Sequence, residues 1–574
     1  MEQPTVKTPW ANSVGNVPMH LSYFHETICQ AVLLRAKKHP QSIAIDFLGS
    51  RISYRSLATQ IVLCAKALKS IGIQENDTVT IALPNCPQAI ITLYAANRIG
   101  AIVNILHPLS APTQIEAFLN TCGSKAVITL DRLYPSFASI IPGTKVSCLI
   151  LTSIADTLSL PARIGYLLSQ GRSTEKVPKN TSVIRWKNFM GLHKQFPGKE
   201  KAVRKSQDPA VILCSGGTTG VTKGVVLTNS NLNALGQQII AANPMFRPGD
   251  KMLSALPIFH GFGLGVCIHT MLMHGGRCVL LPKLTPTLFA ESLWKCRCNY
   301  IAGVPTLYAA LLQLPNMDGK DLSCLKGVFC GGDALSAQLQ QEIDRFLRRS
   351  KATVHIREGY GATETVTACC LMPWHQSREG SIGVPLPDTY IKIVAPGTDQ
   401  ELPYGQIGEI LVSGPTIMQE YLCCPEETAQ TLRTHADTLT WVYTGDLGTM
   451  DEDGFVYFRG RAKRMIITSG YNVYPAQLEN ILDSHELVQM SCVIGVPDPY
   501  KMQKIKAFVK LIPSAQPNEE TKQQLWEHCR KHIAKYAMPY AIEFREDLPK
   551  TLVGKVAYRI LEEEEISKMP PENQ

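Results

Sequence analysis

A glycine-rich run, CSGGTTGVTKGV from Cys214 to Val225, is the stretch of this chain whose residue types point most directly to chemistry. Its glycines allow backbone angles and a close approach that a Cβ atom would prevent. Successive backbone N–H groups, with the hydroxyls of Thr218 and Thr219, can then surround the oxygens of a phosphate, and Lys223 adds a positive charge. The run therefore predicts a phosphate-binding loop, with a plain structural turn as the alternative.

The order of residues around the lysine distinguishes this loop from a Walker A loop. In a Walker A loop the lysine directly follows a glycine and precedes Ser or Thr. Here Thr222 precedes Lys223 and Gly224 follows it. The loop stands between a strand-like run, PAVIL, and the run VVLTNSNLNAL. The loop alone does not identify the anion, so the anion has to be inferred from other motifs.

Six motifs, in order along the chain, resemble those of the adenylate-forming superfamily, which includes acyl-CoA synthetases, luciferases and adenylation domains. The glycine-rich run resembles the signature Ser-Gly-Thr-Thr-Gly-x-Pro-Lys-Gly, with Gly216 for the first Ser and Thr222 for the Pro. The others are GGDAL from Gly331, GYGATET from Gly359, YTGDLG from Tyr443, GRAKRMIITSGYNVYPAQLE from Gly460 and PKTLVGK from Pro549. The resemblance spans about residues 42–561. The Gly-Gly-Thr-Thr-Gly variant is similar to that of long-chain fatty acyl-CoA synthetases.

The resemblance implies a two-step reaction with ATP, Mg²⁺ and CoA as cofactors. Members of this family join a carboxylate to ATP as an acyl-adenylate, release pyrophosphate and then pass the acyl group to a thiol. A carboxylate is already ionised at neutral pH, so the first step needs charge neutralisation rather than a general base. By the resemblance, Glu364 and Thr219 hold Mg²⁺, Lys555 reaches the carboxylate and the α-phosphate, and His260 lies at the mouth of the acyl pocket.

The same resemblance implies a nucleotide site. In it Gly332, Asp333 and Ala334 flank the adenine, Tyr360 offers a stacking face, and a carboxylate with an arginine binds the ribose hydroxyls. The full set implied for ATP is Ser215, Gly216, Gly217, Thr218, Thr219, Gly220, Lys223, Gly332, Asp333, Ala334, Glu358, Tyr360, Gly361, Thr363, Asp446, Arg461 and Lys555.

The second half-reaction is assigned by resemblance to a mobile lid. Ser469, Gly470 and Tyr471 resemble the turn that closes over the pantetheine arm of CoA. In the family the lid rotates about a hinge, so that Lys555 serves the first step and this turn serves the second. The hinge position is commonly Asp or Lys in the family, and this chain has Arg464 there.

The acid substrate is predicted from the residues of the acyl pocket. An amino-acid-activating relative has a carboxylate, typically Asp after the Phe of this motif, that pairs with the substrate ammonium, whereas this chain has His260 there. The small residues Gly261, Gly263 and Gly265 are expected to leave room for an apolar tunnel, which favours a medium- or long-chain fatty acid. The alternatives are an aromatic acid such as a cinnamate, a carrier protein as the acyl acceptor, and a catalytically inactive lipid-binding scaffold.

The elements that must position these residues alternate between strand-like and helical patterns. SIAIDFL and DTVTIALP are strand-like runs, and SYRSLATQIVLCAKALKSIG between them has helical periodicity. The residues that it places on one helical face are Leu57, Ile61, Cys64 and Leu68. Strands that alternate with helices predict βαβ units and a largely parallel sheet.

We therefore expect an α/β fold with two domains, as the length of 574 residues also indicates. The large N-terminal domain, residues 1–463, is built of βαβ sheets packed with helices and binds AMP and the acyl group. Near Gly460 the pattern changes to a compact final portion with short strand-like runs. Residues 464–574 are predicted to form a small, mobile α+β lid domain.

The positive charge of the chain is concentrated in one segment. The net charge is +9. Residues 161–205 hold eleven Lys or Arg against two Glu, an excess of nine that accounts for all of it. This segment is interpreted first as a solvated insertion loop. An apolar face in LPARIGYLLSQGR, followed by Trp186, Phe189 and Phe196 among basic residues, makes contact with an anionic membrane the alternative. No nucleic-acid motif accompanies the stripe, so nucleic acid is not an expected partner.

Cysteine usage and hydropathy bear on location. The 18 cysteines show no paired Cys-x-x-Cys spacing, so reduced thiols are expected rather than a zinc site or a disulfide framework. No apolar run approaches the roughly 18–20 residues of a membrane helix, and no secretory signal is recognisable at the start. We expect a cytoplasmic enzyme, with residues 161–205 as its candidate contact with the inner face of a membrane.

Overall fold

The computed structural model describes residues 6–170, 183–215, 223–317, 319–468, 471–498, 500–551 and 555–568. Within these ranges the chain alternates between helices and strands, with a π-helix at Phe262–His269 and several short 3₁₀ helices. The α-helices are α1 Ile28–Lys38, α2 Tyr54–Ser70, α3 Pro87–Arg98, α4 Pro112–Thr121, α5 Tyr134–Ile140, α6 Leu160–Gln170, α7 Trp186–Gly191, α8 Asn229–Ala241, α9 Thr270–His274, α10 Pro286–Lys295, α11 Pro305–Leu312, α12 Ala337–Arg349, α13 Pro425–Thr431, α14 Pro475–Asp483, α15 Glu519–His532 and α16 Tyr558–Ser567.

The strands form four sheets, and most of them are short. They are β1 Ile43–Phe47, β2 Ser50–Ser53, β3 Thr78–Ala82, β4 Ile102–Ile105, β5 Ser124–Leu130, β6 Cys148–Thr152, β7 Val183–Arg185, β8 Pro209–Ser215, β9 Lys223–Thr228, β10 Lys251–Ser254, β11 Arg277–Leu280, β12 Tyr300–Gly303, β13 Gly327–Gly331, β14 Ile356–Tyr360, β15 Cys370–Leu371, β16 Val384–Pro385, β17 Tyr390–Val394, β18 Gly408–Ser413, β19 Glu420–Tyr421, β20 Leu432–Thr434, β21 Thr440–Met450, β22 Val456–Arg461, β23 Ile466–Thr468, β24 Tyr471–Val473, β25 Val488–Asp498, β26 Met502–Leu511 and β27 Ala541–Phe544.

Two large sheets carry most of the parallel strands, and the fourth sheet adds one parallel pair, β26 with β27. The first has the order β16-β15-β14-β13-β12-β10-β11-β1-β2, parallel from β14 to β1 and antiparallel at both ends. The second has the order β19-β9-β8-β4-β3-β5-β6-β7, parallel from β8 to β7 and antiparallel where β9 and β19 are added. The predicted α/β class with parallel βαβ units is confirmed.

Helix α2 shows how the sequence pattern becomes packing. Its predicted face, with Leu57, Ile61, Cys64 and Leu68, is buried in the largest core, which also contains side chains of α1, α3, α8 and both large sheets. The helix begins at Ser53, whose hydroxyl accepts the backbone N–H of Ser56. The burial of this face fixes the helix against the sheets that position the site.

The third and fourth sheets lie on either side of residue 464. The third, β17-β18-β21-β20 with β22 beside β21, is antiparallel and ends at Arg461. A 3₁₀ turn, Ala462–Arg464, follows it, and the fourth sheet then begins at Ile466 with its own hydrophobic core. We retain 1–463 and 464–574 as the proposed domains and call the second one the lid.

The aromatic residues of the basic segment do not all lie where the sequence suggested. Trp186 and Phe189, expected at a membrane surface, are 6% and 0% exposed and belong to the largest core beside α2. Only Phe196 stays half-buried. Trp186 and Phe189 are three apart on α7, which is the spacing of a buried helical face. In the part of the chain that the structure describes, no helix is both long and apolar enough to cross a membrane.

Candidate active site

A deep cleft of about 1720 Å³ opens between the large sheets, the third sheet and the lid. The predicted site residues that line it are Ser215, Lys223, His260, Gly332, Asp333, Ala334, Glu358, Tyr360, Gly361, Thr363, Glu364, Asp446, Arg461 and Lys555. Gly216, Gly217, Thr218, Thr219 and Gly220 lie outside the described residues, as do Ser469 and Gly470. Motifs separated by more than 300 positions in the sequence therefore meet in one cleft, and the role of each residue stays a prediction.

Two neighbouring parallel strands place the presumptive adenine-side residues. The carboxyl ends of β13 and β14 lie at the same edge of the first sheet, so Gly332 and Asp333 come next to Tyr360 and Gly361. Gly332 has φ +84°, and Gly361 packs so closely that a Cβ there would lie 1.9 Å from the carbonyl oxygen of Thr367. Both positions therefore need glycine for the backbone of the cleft.

Glu358 lies at the floor of the cleft near Asp333. Its Oε1 accepts the backbone N–H of Leu335 at 3.2 Å. Burial raises the pKa of the Glu358 carboxyl to about 8, the Leu335 hydrogen bond opposes the shift, and the charge of Asp333 adds to it. Glu358 is therefore a carboxyl that is largely neutral at neutral pH, with a proton that it can donate.

Asp446 is placed to accept hydroxyl groups. Tyr360 Oη donates to its Oδ2 at 2.7 Å, and Arg461 Nε lies 3.3 Å from its Oδ1 as an ion pair. Asp446 is only 3% exposed, and its Oδ1 makes no hydrogen bond within the described structure, because the Arg461 contact lacks hydrogen-bond geometry. Burial raises the pKa of Asp446, and Arg461 opposes that shift. An unsatisfied buried acceptor beside an arginine suits the hydroxyls of a ribose.

Lys555 reaches into the cleft from the lid. The Cε of Lys555 lies 3.6 Å from the point where a Cβ at Gly332 would stand. Its backbone pairs with Thr551 through N–H···O=C at 2.7 Å and through the Thr551 hydroxyl at 3.1 Å. The pKa of Lys555 is lowered overall: burial is the largest cause and the charge of Arg461 adds to it, whereas the charges of Asp333 and Asp446 oppose it. The lid thus places the Lys555 side chain in the cleft next to Gly332.

His260 lies at the cleft wall as a neutral imidazole. Burial, followed by the charge of Lys555, lowers the pKa of His260 to about 4. Its Nδ1 accepts the backbone N–H of Phe262 at 3.3 Å, which leaves Nε2 as the nitrogen that can donate. His260 and Lys555 both line the cleft.

The glycines after His260 do not open a tunnel, contrary to the sequence-based expectation. A Cβ at Gly261 would lie 1.7 Å from the carbonyl oxygen of Val366, and one at Gly263 would lie 2.1 Å from that of Pro257. At Gly265 the nearest atom, a methyl of Leu235, is 2.6 Å away. These glycines let the π-helix pack against its neighbours. The apolar side chains that line the cleft nearby are Ile239, Phe259, Phe262, Val266 and Val366.

Glu364, the predicted Mg²⁺ ligand, is held by a residue that the sequence did not single out. Tyr421 Oη donates to Glu364 Oε1 at 2.6 Å, and Lys223 Nζ lies 4.8 Å from the centre of the Tyr421 ring. Tyr421 reaches this place because β19 pairs with β9, with Tyr421 opposite Val225. The next residue after the Glu364 turn, Val366, has φ +63°, a strained conformation for a β-branched residue at a functional site.

The donor set around Glu364 fits Mg²⁺ bound together with a triphosphate. Mg²⁺ takes oxygen ligands and is usually held by one or two carboxylates plus substrate phosphates rather than by an all-protein cage. Glu364 offers such a carboxylate: it lines the cleft, and the Tyr421 hydrogen bond uses only its Oε1. Among the described residues no cluster of three or more His, Cys, Asp or Glu could hold a metal by itself. Thr219, the other predicted ligand, lies outside them.

The predicted CoA turn and the predicted hinge belong to the lid. Tyr471 is 54% exposed, stacks on Tyr536 with ring centres 4.4 Å apart, and is not among the described residues that line the cleft. The guanidinium of Arg464 forms an ion pair with Glu479 and donates to the carbonyl oxygen of Val493 at 3.2 Å. Both partners of Arg464 follow it in the lid, so its side chain is fixed to the lid. The hinge role of Arg464 stays a prediction.

Comparison with known proteins confirms the resemblance that the six motifs indicated. Residues 33–422 match the model of the AMP-binding enzyme family, and residues 477–555 match the AMP-binding enzyme C-terminal domain. A long-chain-fatty-acid–CoA ligase of Bacillus subtilis (strain 168) is 34% identical over 564 residues, which cover 97% of this chain and 98% of the relative. A feruloyl-CoA synthase of Amycolatopsis sp is 30% identical over 530 residues, 91% of this chain and 96% of the relative. ATP-bound MatB from Rhodopseudomonas palustris aligns with a TM-score of 0.78 and 27% identity over 93% of this chain and 98% of that one. The chain belongs to the AMP-binding enzyme family.

Proposed function

We propose that this enzyme activates a fatty acid with ATP and transfers the acyl group to coenzyme A, releasing pyrophosphate and AMP. The observation that carries the proposal is the lid ammonium of Lys555 inside the cleft, beside the buried acceptor of Asp446 and the neutral imidazole of His260. This is an arrangement for neutralising charge between a carboxylate and a phosphate. The relatives named long-chain-fatty-acid–CoA ligase support the choice of acid and acceptor.

The first step joins the acid to AMP. A carboxylate oxygen attacks the α-phosphorus of ATP, the bond from that phosphorus to pyrophosphate breaks, and no proton is transferred. Both reactants are anions, so they repel each other as they approach. The positive charge of Lys555 lowers the electrostatic free energy of that approach. Asp446 and Tyr360 hold the ribose, and the edge formed by Gly332 and Asp333 holds the adenine. Mg²⁺ bound with ATP would supply further neutralisation, and Glu364 would be its protein ligand.

The second step transfers the acyl group to a thiol. The sulfur attacks the acyl carbonyl carbon, the bond from that carbon to the AMP oxygen breaks, and AMP leaves with its phosphate charge. The thiol proton is released in this step. In the structure Tyr471 is outside the cleft while Lys555 is inside it. Thioester formation therefore needs a lid rotation that exchanges the two.

The apolar wall beside His260 supports a fatty acid. Ile239, Phe259, Phe262 and Val266 line this part of the cleft and offer no charged group to a substrate ammonium. Because neighbouring atoms fill the space beside Gly261, Gly263 and Gly265, the acyl chain is expected to run along these side chains. Burial of each methylene of the chain contributes about 0.8 kcal/mol, so affinity is expected to rise with chain length until the wall ends.

An aromatic acid is the second candidate, and one observation favours it. The feruloyl-CoA synthase that matches this chain acts, by its name, on an aromatic acid, and it is 30% identical to the chain. The aromatic side chains Phe259 and Phe262 could stack on such a ring. A carrier protein as acceptor and an inactive lipid-binding scaffold stay open as lesser alternatives. The second of these is disfavoured by the presence of Lys555 and Glu364 in one cleft.

Pyrophosphate release measured with a panel of acids tests the proposal. The acids are saturated fatty acids from eight to eighteen carbons, cinnamate and ferulate, each with Mg·ATP and each with or without CoA. We expect release that increases with fatty-acid chain length, and a thioester only when CoA is present. Release with the aromatic acids alone would favour the second candidate. No release with any acid would overturn both.

A further inference from the structure

Helix α6, Leu160–Gln170, turns an apolar stripe toward solvent. Ala162 and Tyr166 pack against the largest core, which fixes the helix on the body of the enzyme. Leu160, Ile164 and Leu168, on the other side, are 75%, 56% and 82% exposed. Because these three residues are four apart, they form one continuous line along the helix. We call them the α6 stripe.

Such a stripe is not the usual solvent face of a helix. Single exposed leucines are common on protein surfaces, but helices that face water normally expose polar residues. Helix α12 of the same chain does so, because its exposed residues are Gln341, Arg345, Arg348 and Arg349. The α6 stripe therefore indicates a surface that something apolar covers.

Positive charge lies on α6 and against it. Arg163 is exposed on α6 itself. Arg132 is exposed and donates to Tyr166 Oη at 3.1 Å, which places a second guanidinium against the helix. Lys187 and Lys194, further along the same basic segment of the sequence, are also exposed.

We propose that the α6 stripe docks on an anionic lipid surface. Leu160, Ile164 and Leu168 would enter the boundary between headgroups and acyl chains, while Arg163 and Lys187 would lie at the lipid phosphates. An apolar line on a helix flanked by basic side chains is the pattern of a helix that lies in a membrane interface. The apolar side chains that would enter the lipid are therefore the leucines and isoleucine of α6, because Trp186 and Phe189 are buried in the core.

Charge argues for lipid rather than for a second copy of the chain. A two-fold symmetric contact through the α6 stripe would bring two copies of the same surface together. Arg163 and Arg132 of one copy would then approach the same residues of the other copy, and like charges brought together repel each other. A phosphate-covered bilayer instead offers the opposite charge and an apolar layer in one surface. This inference does not depend on which acid the enzyme activates.

Vesicle sedimentation of the full chain tests the proposal. The vesicles are phosphatidylcholine alone or an equal mixture of phosphatidylcholine and phosphatidylglycerol. The stripe variant carries Leu160→Gln, Ile164→Gln and Leu168→Gln. Its matched control is Leu34→Gln, because Leu34 is 55% exposed on α1 and belongs to no such stripe.

We expect the wild type to bind the mixed vesicles and the stripe variant to bind them at least about ten-fold more weakly. Arg163→Gln and Lys187→Gln should each weaken binding about five-fold, an effect that added salt removes, whereas Lys531→Gln should not. The Leu34 control should bind as the wild type does. Circular dichroism and thermal unfolding verify that each variant is folded.

Three outcomes would overturn the proposal. The first is a wild type that does not bind the mixed vesicles, and the second is a stripe variant that binds as tightly as the wild type. The third is a wild-type dimer, seen by light scattering without lipid, that the stripe variant dissociates, because the stripe would then be an interface between two copies. Pyrophosphate release with a water-soluble octanoate should be unchanged in the stripe variant. Failure of the lipid proposal is thereby separated from failure of the proposed reaction.

Discussion

The substitution Tyr421→Phe removes one hydroxyl beside the predicted magnesium ligand and leaves the shape of the side chain unchanged. Tyr421 Oη donates to Glu364 Oε1 at 2.6 Å, a distance typical of a charge-assisted O–H···O⁻ bond. The Tyr421 ring stays in place through the pairing of β19 with β9. The variant therefore tests whether the orientation of the Glu364 carboxylate matters for the first half-reaction.

The size of the effect follows from the kind of bond that is lost. A hydrogen bond to a charged group contributes about 1.5–3 kcal/mol to stability. Glu364 lines an open cleft, so a water molecule can replace part of that contribution. We therefore expect a loss of about 1–2 kcal/mol, which is about a 5–30-fold change in the equilibrium that the bond supports. Because Glu364 would hold the metal, the change should appear in the dependence on Mg²⁺.

The assay is ATP–pyrophosphate exchange measured against the concentration of free Mg²⁺. Tyr421→Phe should need about 5–30-fold more Mg²⁺ for half-maximal exchange, with the KM for the acid unchanged. A binding measurement accompanies it: the affinity for Mn²⁺, followed by electron paramagnetic resonance with a non-hydrolysable ATP analogue, should weaken by the same factor. The matched control is Tyr457→Phe, because Tyr457 Oη also donates to a carboxylate, Asp451 Oδ2 at 3.0 Å, away from the cleft.

Three results would refute this reasoning. If Tyr421→Phe lowers exchange equally at all Mg²⁺ concentrations, the hydroxyl acts on something other than metal binding. If Tyr457→Phe shifts the Mg²⁺ dependence as strongly, the effect is one of general stability. An unchanged Mn²⁺ affinity in Tyr421→Phe would show that the position of Glu364 does not depend on the hydrogen bond.

Three further predictions concern the lysine, the buried acid and the hinge. Lys555→Met should lower ATP–pyrophosphate exchange about 10²–10³-fold yet spare thioester formation from supplied acyl-adenylate, whereas Lys531→Met should affect neither. Glu358 has a pKa of about 8 in the folded chain against an ordinary 4.5, so the folded chain binds a proton that the unfolded chain does not. The free energy of unfolding therefore falls as pH rises from about 4.5 to about 8. In thermal unfolding without ligand, Glu358→Gln should lose less stability than the wild type between pH 5 and 9. An equal loss in both proteins would contradict that assignment. Arg464→Pro should spare ATP–pyrophosphate exchange and depress thioester formation. Arg464→Ala loses the same ion pair but keeps backbone freedom, so it should retain both activities. Equal loss of both activities in the proline variant would contradict the hinge assignment.

Much of the fold was predictable because its signals are local. The buried face of α2 follows from spacing alone, and βαβ alternation gives the parallel sheets. The meeting of Gly332 and Tyr360 also follows, since the carboxyl ends of neighbouring parallel strands share one edge. The motifs predicted that these residues meet, and the parallel pairing of β13 with β14 is the physical reason.

The contact of Tyr421 with Glu364 was not predictable from local patterns. It depends on the pairing of β19 with β9, whose facing residues Tyr421 and Val225 lie about two hundred positions apart. Strand β19 is two residues long, too short to show an alternating pattern. Only the three-dimensional pairing brings the tyrosine to the carboxylate.

Two sequence-based expectations were wrong for one shared reason: composition does not report what lies opposite a residue. Glycine permits either open space or very close packing, and around Gly261 the space is filled by the Val366 backbone. Trp186 and Phe189 among basic residues suit a membrane surface, yet their spacing of three also suits a buried helix face.

Lys555 and Tyr471 cannot serve the cleft at the same time if the lid moves as one body. Both belong to the lid, whose fourth sheet has its own buried core, and in this structure Lys555 lies inside the cleft while Tyr471 lies outside it. A rotation that admits Tyr471 would therefore withdraw the ammonium proposed to stabilise the first step. The acyl-adenylate would then have to be retained by groups that stay with the N-terminal domain, and the proposed ribose partners Asp446 and Tyr360, which are hydrogen-bonded to each other, are placed to do so. A substitution that removes the carboxylate of Asp446 should consequently release the acyl-adenylate before the thiol binds, even if the first step is still fast.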